Sequence, residues 1–278
     1  MKAMIQYLYL GRVAYDEALR LQAEMATLVA EGRLKNVLLL LEHPPVLTLG
    51  RNANRANVLA GDDLLAQRGV TLHQTNRGGD VTYHGPGQLI GYPIFNLRTL
   101  RGPSGGRMGP VDFVRGMEEV LIRVCGDFGV TAGRVPGLTG VWCGDAGDER
   151  KIGAIGIHVA KGITSHGFAF NVTTDLRDFD LIVPCGIADH AVTSLKQEMV
   201  SHPDSGCADA LPGLEAVAHQ AARQFGMVFD EHVLAVESLE ALRAQASEAR
   251  EFPAQDTPLR TPAEVERLHG VPERFVRA

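Results

Sequence analysis

Residues 77–93 read RGGDVTYHGPGQLIGYP. Five glycines and two prolines (Pro86 and Pro93) fall within them, beside Arg77, Asp80, Thr82, Tyr83, His84 and Gln88. Apolar alternation stops before this stretch and resumes after it. A segment so poor in core-forming side chains is not present for packing. It reads as a shaped loop that brings backbone and polar groups close to a ligand.

On its N-terminal side, residues 4–10 read as a first strand. Ala14, Ala18, Leu21, Met25 and Leu28 then recur at helical spacing, with Gly32 as a stop. Residues 37–41 form a continuous apolar run of strand length, which predicts a buried strand. Pro44 and Pro45 break it, and Val46–Leu49 starts another. Asp62–Gln67 reads as a short helix, and residues 70–75 as a strand leading into the glycine-rich stretch.

On the C-terminal side, strand character resumes over 89–97, and 102–109 is a glycine-rich loop. Pro110 stands at a first helical position, and Phe113, Met117, Val120, Val124 and Phe128 give one apolar face closed by Gly129. Strands follow at 139–143, 152–160 and 163–172, the last two joined by a tight Lys161-Gly162 turn. A loop carrying Pro184-Cys185-Gly186 comes next. Leu214, Val217, Ala221 and Phe225 mark a last core helix. Beyond about Asp230 the pattern weakens and prolines interrupt it. We therefore expect a core domain over 1–230 and an appendage of unassigned role over 231–278. Strands clustered between separated helices predict an α+β fold with a mixed sheet flanked by helices.

The chain has 278 residues, 45% of them hydrophobic, and a net charge of -6. A substantial core is affordable, and no Lys/Arg run points to nucleic acid. No apolar stretch reaches the length of a membrane helix, and the N-terminus lacks the apolar run of a signal peptide. The four cysteines (Cys125, Cys143, Cys185, Cys207) show no CxxC spacing. Reduced thiols in the cytoplasm are the simplest reading.

Cys185 is the first candidate nucleophile. It lies between a proline and a glycine in VPCGIADHAVTSL, a loop context rather than a core face. The alternative is a small buried hydrophobe, which suits Cys125 and Cys143 better. Lys151 is the second candidate. It is one of five lysines in the chain and opens the glycine-rich strand KIGAIGIHV. Lysine can deprotonate when desolvated, whereas arginine cannot; the alternative is a solvated lysine at a strand start. His84 suits a base, an orienting group or a turn residue. The histidines show no HxxxH or HExxH spacing, so no metal site is expected. Gly102–Gly106 formally matches GxSxG, but a nucleophile elbow needs a strand before Ser104 and a helix right after it. The chain contains no Gly-Lys pair, which excludes a Walker-type phosphate loop.

Together, RGGDVTYHGPGQLIGYP at 77–93, KIGAIGIHV at 151–159, HGFAFNV at 166–172 and PCGIADHAVTSL at 184–195 resemble the lipoyl(octanoyl) transferases, the LipB family, over roughly residues 5–230. Several long motifs in order are far more specific than one short match. The resemblance implies a fold shared with the biotin and lipoate ligases. It implies that octanoyl passes from the pantetheine thiol of octanoyl-acyl carrier protein to a lysine of a lipoyl domain. Acceptors would be the lipoyl domains of 2-oxoacid dehydrogenase E2 subunits and the glycine cleavage H protein. It implies Cys185 as the acyl-thioester nucleophile and Lys151 as its acid/base partner. Substrate contacts would come from Arg77, Gly78, Gly79, Asp80, Val81, Thr82, Tyr83 and His84, from Ala154, Ile155 and Gly156, and from Gly167, Phe168 and Ala169. Tyr83, Ile155 and Phe168 would line an acyl tunnel. No cofactor is implied, because amide formation from a thioester is downhill without ATP.

Three rivals remain at this point. An ATP-dependent lipoate ligase would resemble RRxSGGGAVYHDxGN at the loop and lack the reactive cysteine. A non-catalytic acyl-binding module would not need Lys151 and Cys185 together. A serine hydrolase would use Ser104.

Overall fold

The computed structural model describes residues 4–103, 105–183, 190–201 and 211–251. The N-terminal half runs β1 (Met4–Arg12), α1 (Tyr15–Ala30), β2 (Asn36–Glu42), β3 (Val46–Leu49), α2 (Asp62–Gln67), β4 (Thr71–Gln74), β5 (Val81–His84), β6 (Gln88–Ile94) and α3 (Pro110–Asp127). The C-terminal half runs β7 (Gly133–Val135), β8 (Leu138–Cys143), β9 (Arg150–Ala160), β10 (Ile163–Asn171), β11 (Ala191–Val192), α4 (Leu195–Ser201), α5 (Leu214–Phe229), β12 (His232–Ala235) and α6 (Leu239–Glu251). The fold is α+β, as expected.

Nine strands form one mixed sheet in the order β12-β1-β2-β6-β10-β9-β8-β7, with β11 added alongside β9. A second sheet, β4-β3-β5, holds the glycine-rich stretch. The all-apolar β2 sits where both faces of the sheet are covered, which is why it shows no alternation. Leu38 and Leu40 point to the layer of α3 and α5. Val37, Leu39 and Leu41 point to the layer of α1. Phe95, Phe113, Phe225 and Phe229 cluster beneath α3 and α5 with ring centroids 5.3–6.2 Å apart.

Two expectations change. The glycine-rich stretch is not one loop: Val81–His84 pairs antiparallel with β3, and β6 begins at Gln88. Only residues 77–80 and 85–87 are connections; the β-branched and aromatic residues of VTYH form a short strand between glycines. The chain beyond Asp230 is also more regular than its pattern suggests. β12 pairs parallel with β1 and extends the main sheet. α6 buries Leu242 and Ala246 in the α1 layer, and Arg243 pairs with Glu24 at 2.8 Å. Among the described residues, no helix is long and apolar enough to cross a membrane.

Candidate active site

β9 and β10 pair in a register that sets Gly156 opposite Gly167 and Ala154 opposite Ala169. Residues directly opposite in a ladder share a face. Here the shared face is the one toward α1, and it carries almost no side-chain bulk. The backbone of residues 77–79 fills that space. Gly78 N–H donates to Ile157 O at 3.0 Å. A Cβ on Gly156 would stand 2.7 Å from Gly78 O. Here only glycine admits the crossing loop.

The loop is clamped from behind. Arg51 N–H donates to Arg77 O at 2.9 Å and Asn52 N–H to Gly79 O at 3.3 Å. Asp80 accepts from Asn54 N at 3.1 Å, from Val81 N at 2.7 Å, and from the Asn57 amide. The Arg77 guanidinium turns inward and donates to Thr48 O (2.6 Å), Thr48 Oγ1 (2.9 Å) and Gly78 O (3.0 Å).

Between loop and sheet lies a narrow cleft. Arg77, Gly78, Gly79, Asp80, Thr82 and His84 form one wall, and Ala154–Gly156 and Gly167–Ala169 the floor. The glycine-rich stretch therefore meets two strand segments that lie some seventy to ninety positions further along the sequence. Tyr15, Ile90, Tyr92 and His166 complete the lining. None of these four was legible as a site residue, because each sits in an ordinary core or strand pattern.

Val81 and Tyr83 do not face the cleft. They alternate with Thr82 and His84 along β5 and enter the core of the small sheet. Tyr83 donates its hydroxyl to Asp178 at 2.6 Å and packs edge-on against Phe179. Burial and the Asp178 carboxylate push its phenol well above its ordinary value. Ile155 and Phe168 border the cleft, but their side chains pack with the α3–α5 layer. Phe168 stacks on Phe225 with ring centroids 6.0 Å apart. Tyr83 is therefore turned away from the cleft, whereas Ile155 and Phe168 remain at its border.

The imidazoles here are buried and neutral. His84 donates through Nδ1 to Gln88 Oε1 at 2.8 Å. That tautomer follows because the Gln88 amide nitrogen is already committed to Tyr83 O and Asn171 Oδ1. Burial, helped by His43 and Arg77, lowers the His84 pKa to about 3. His84 is thus no turn ornament: its Nε2 keeps a lone pair toward Thr48 Oγ1, 3.3 Å away. His43 donates to Val13 O and accepts from the Tyr92 hydroxyl, both at 2.7 Å, and burial lowers its pKa to about 4. His166, at a left-handed φ of 56°, donates to Asn76 Oδ1.

Lys151 stands beyond the end of the cleft, three residues before Ala154. Strand alternation alone would point it away from the cleft, with Gly153. A bulge corrects the phase: Val141 pairs with Gly153, yet Trp142 pairs with Lys151, so Ile152 is the extra residue. A Cβ on Gly153 would meet Leu121 of α3, so Gly153 faces the helices. Lys151, across the bulge, faces the side of Ala154 and Gly156. It is buried, 8% exposed, with Nζ 4.5 Å from the Trp142 ring centroid. Cys185 lies outside the described residues. β11, which follows it in sequence, pairs parallel with Arg150 and Lys151. Cys125 and Cys143 are free and buried; burial pushes the Cys143 thiol up to about 12. Neither offers a thiolate. Ser104 and Cys207 also lie outside the described residues, and none of the described histidine, cysteine and acidic side chains cluster in threes to hold a metal ion.

The lipoyl protein ligase A/B catalytic domain profile matches residues 14–208. The chain is 59% identical to the octanoyltransferase of Acidobacterium capsulatum over 239 residues, 84% of this chain and 94% of that protein. It is 48% identical to the octanoyltransferase of Koribacter versatilis over 266 residues, 96% of this chain and 97% of that protein. Among solved structures, lipoate-protein ligase A bound with ATP aligns with a TM-score of 0.61 at 17% identity, over 90% of this chain and 95% of that chain. A bipartite lipoate protein ligase from Thermoplasma acidophilum aligns at 0.59 and 18% identity, over 89% and 92%. At such identity the structural likeness speaks for the fold alone. The near full-length sequence identity speaks for more, and on it the chain belongs to the octanoyltransferases, acyltransferases of protein lipoylation.

Proposed function

We propose that this octanoyltransferase takes its acyl group from octanoyl-acyl carrier protein, holds it as a thioester on Cys185, and delivers it to the acceptor lysine of lipoyl domains. The observation that carries this reading is the shared strand of cleft floor and lysine. Lys151 is buried beyond the end of the glycine-floored cleft, on the same strand and face as Ala154 and Gly156. An acyl chain in the cleft would have its carbonyl end toward Lys151 and the stem of the Cys185 segment.

The chemistry then needs two half-reactions and one travelling proton. Lys151 takes the proton of Cys185, leaving ammonium and thiolate. The thiolate attacks the carrier thioester carbonyl, and backbone N–H groups steady the oxyanion. Collapse breaks the bond to the pantetheine sulfur, which leaves with the proton of Lys151. The acceptor amine next attacks the Cys185 thioester and gives its surplus proton to neutral Lys151. Cys185 leaves as thiolate, and the ammonium–thiolate pair is restored. The acceptors would be lipoyl domains of E2 subunits and the glycine cleavage H protein, in the cytoplasm. The catalytic unit would span 1–230, with β12 and α6 as a strap on its sheet edge.

Incubation with octanoyl-acyl carrier protein, followed by intact-mass measurement, tests the nucleophile. One octanoyl adduct should appear on the wild-type chain and vanish in Cys185→Ala. An adduct that persists in that variant rules Cys185 out. A second measurement tests the cleft. In Gly156→Val the side chain strikes Gly78 O, so the loop lifts off the strand. We expect kcat/KM for the carrier substrate to fall by roughly 10- to 100-fold, mostly through KM. Thermal stability should change little, because the displaced loop is not core. An unchanged KM would mean that the acyl group does not lie between loop and floor.

A further inference from the structure

Lys151 is held in a way the reaction alone does not require. Burial disfavours an ammonium, and the usual remedy is a carboxylate. Among the described residues, the neighbouring charged side chains bind one another. On α4, Glu198 binds Arg150 Nε at 3.1 Å and accepts from Thr193 Oγ1 at 2.6 Å. On α3, the fully buried Glu118 binds Arg115 at 2.7 Å and Arg134 at 3.0 Å. Arg150, next to Lys151, also pairs with Asp148. What faces the Lys151 ammonium is the buried indole of Trp142, 4.5 Å from Nζ to ring centroid, within cation–π range.

The rest of the surroundings fixes that pairing. Gly140, two residues before Trp142 on β8, has a φ of 126° and lies against the lysine stem. A Cβ there would stand 3.5 Å from Lys151 Cε and 2.6 Å from Gly153 O. Gly140 N–H donates to Glu118 Oε1 at 3.1 Å, so the buried carboxylate anchors the hairpin. On its other side Trp142 meets His190 edge-on, with ring centroids 5.2 Å apart. The stem of Lys151 thus passes a bare backbone, and its head rests on a ring held from two directions.

We propose that Trp142 is the positioning residue for Lys151: its indole face holds the ammonium head in place on the cleft-facing side of β9. This rests on Lys151 being the acid–base group. An indole suits the task better than a carboxylate. It favours the cation without taking a proton itself, and it offers no anion to compete with the Cys185 thiolate. When the ammonium gives up its proton to the departing pantetheine sulfur, the neutral amine is left over a ring with no charge to hold it back.

The chain has five lysines, so lysine-selective carbon labelling gives five side-chain Cε signals. The Lys151 signal is identified by its loss in Lys151→Arg. In the wild type its Hε protons should be displaced by the indole ring current. In Trp142→Leu they should move to the position of the other lysines. The pH profile of Cys185 alkylation by iodoacetamide, followed on the Cys185 peptide, should move upward. kcat should fall about tenfold at neutral pH, with KM for the carrier unchanged. Trp142→Phe, a smaller and weaker π face, should show the same changes at reduced size, and it carries the test if the leucine variant does not fold. Unchanged Lys151 Hε positions and an unchanged alkylation profile in both variants overturn the proposal. Near-normal turnover of Lys151→Met would instead overturn the acid–base reading, independently of what the Trp142 variants do.

Discussion

In a Lys151→Arg variant, octanoyl should still load onto Cys185 but should not reach the lipoyl domain. We expect overall transfer to fall by about 10³-fold, within the range a general base contributes. The two half-reactions differ in what they ask of residue 151. In the first, the leaving group is a thiol with an ordinary pKa of about 8.5, so it departs as thiolate with little help. A permanent cation near Cys185 also supports the attacking thiolate. Arginine supplies that cation and can lie over the Trp142 face as lysine does. In the second, the nucleophile is an amine whose conjugate acid has a pKa of about 10.4. Its proton must leave as the C–N bond forms, and arginine cannot accept it. The acyl-enzyme should therefore accumulate. Rapid quenching and intact-mass measurement during turnover will report this directly: acyl-Cys185 dominates in Lys151→Arg and is transient in the wild type. Equal slowing of both half-reactions would remove the base role from Lys151, and near-normal turnover would remove the residue from the mechanism. The larger guanidinium must pass Gly140, where a Cβ would already lie 3.5 Å from Lys151 Cε. Matching thermal midpoints for variant and wild type are the needed control.

Much of this site was legible in the sequence because its architecture is built from glycines. Gly79 has a left-handed φ of 89°, Gly156 and Gly167 stand where a Cβ would strike backbone, and a run of such residues in three stretches is visible without coordinates. The residues that were not legible belong to two kinds. Tyr15, Tyr92 and His166 reach the cleft from positions whose local pattern says only helix or strand, and tertiary packing alone brings them in. The face of a side chain was also hidden wherever the phase of a strand decides it. Alternation could have sent Val81 and Tyr83 away from the cleft once VTYH was taken as a strand rather than a loop. No pattern could have returned Lys151 to the cleft side, because the bulge at Ile152 is set by pairing with β8. The strand and helix after Asp230 escaped for a third reason. β12 has four residues at a sheet edge, and only Leu242 and Ala246 of α6 lie in the buried core, too little periodicity to read.

Three buried imidazoles, two of them bordering the cleft, should make this protein acid-labile above the pH at which carboxylates are protonated. His43, His84 and His166 have pKa values lowered from 6.5 to about 4, 3 and 4, with burial the largest cause in each case. Arg77 adds to the lowering of His84 and His166, and His43 to that of His84. In the unfolded chain all three titrate near 6.5. Between about pH 6.5 and 4 the unfolded state therefore binds more protons than the folded one. The contribution of these groups is full above pH 6.5 and is lost as the pH falls toward 4. One proton of difference is worth about 1.4 kcal/mol per pH unit, so three give a slope of roughly 4 kcal/mol per pH unit near pH 5. Two such units amount to about 8 kcal/mol, comparable to the whole stability of a usual domain, about 5–15 kcal/mol. Denaturant titrations at pH 7.5, 6.5, 5.5 and 5.0 should show nearly constant stability down to 6.5 and a steep fall below it. His43→Gln tests one share of that slope. Glutamine can still donate toward Val13 O or accept from Tyr92 but cannot be protonated. The variant should start less stable at pH 7.5 and lose stability more slowly below 6.5, by about one proton's worth. A flat stability profile from pH 6.5 to 5.0, in the wild type, would mean that these imidazoles are already charged in the folded protein. Because His84 and His166 border the cleft, transfer activity should disappear over the same interval as the fold.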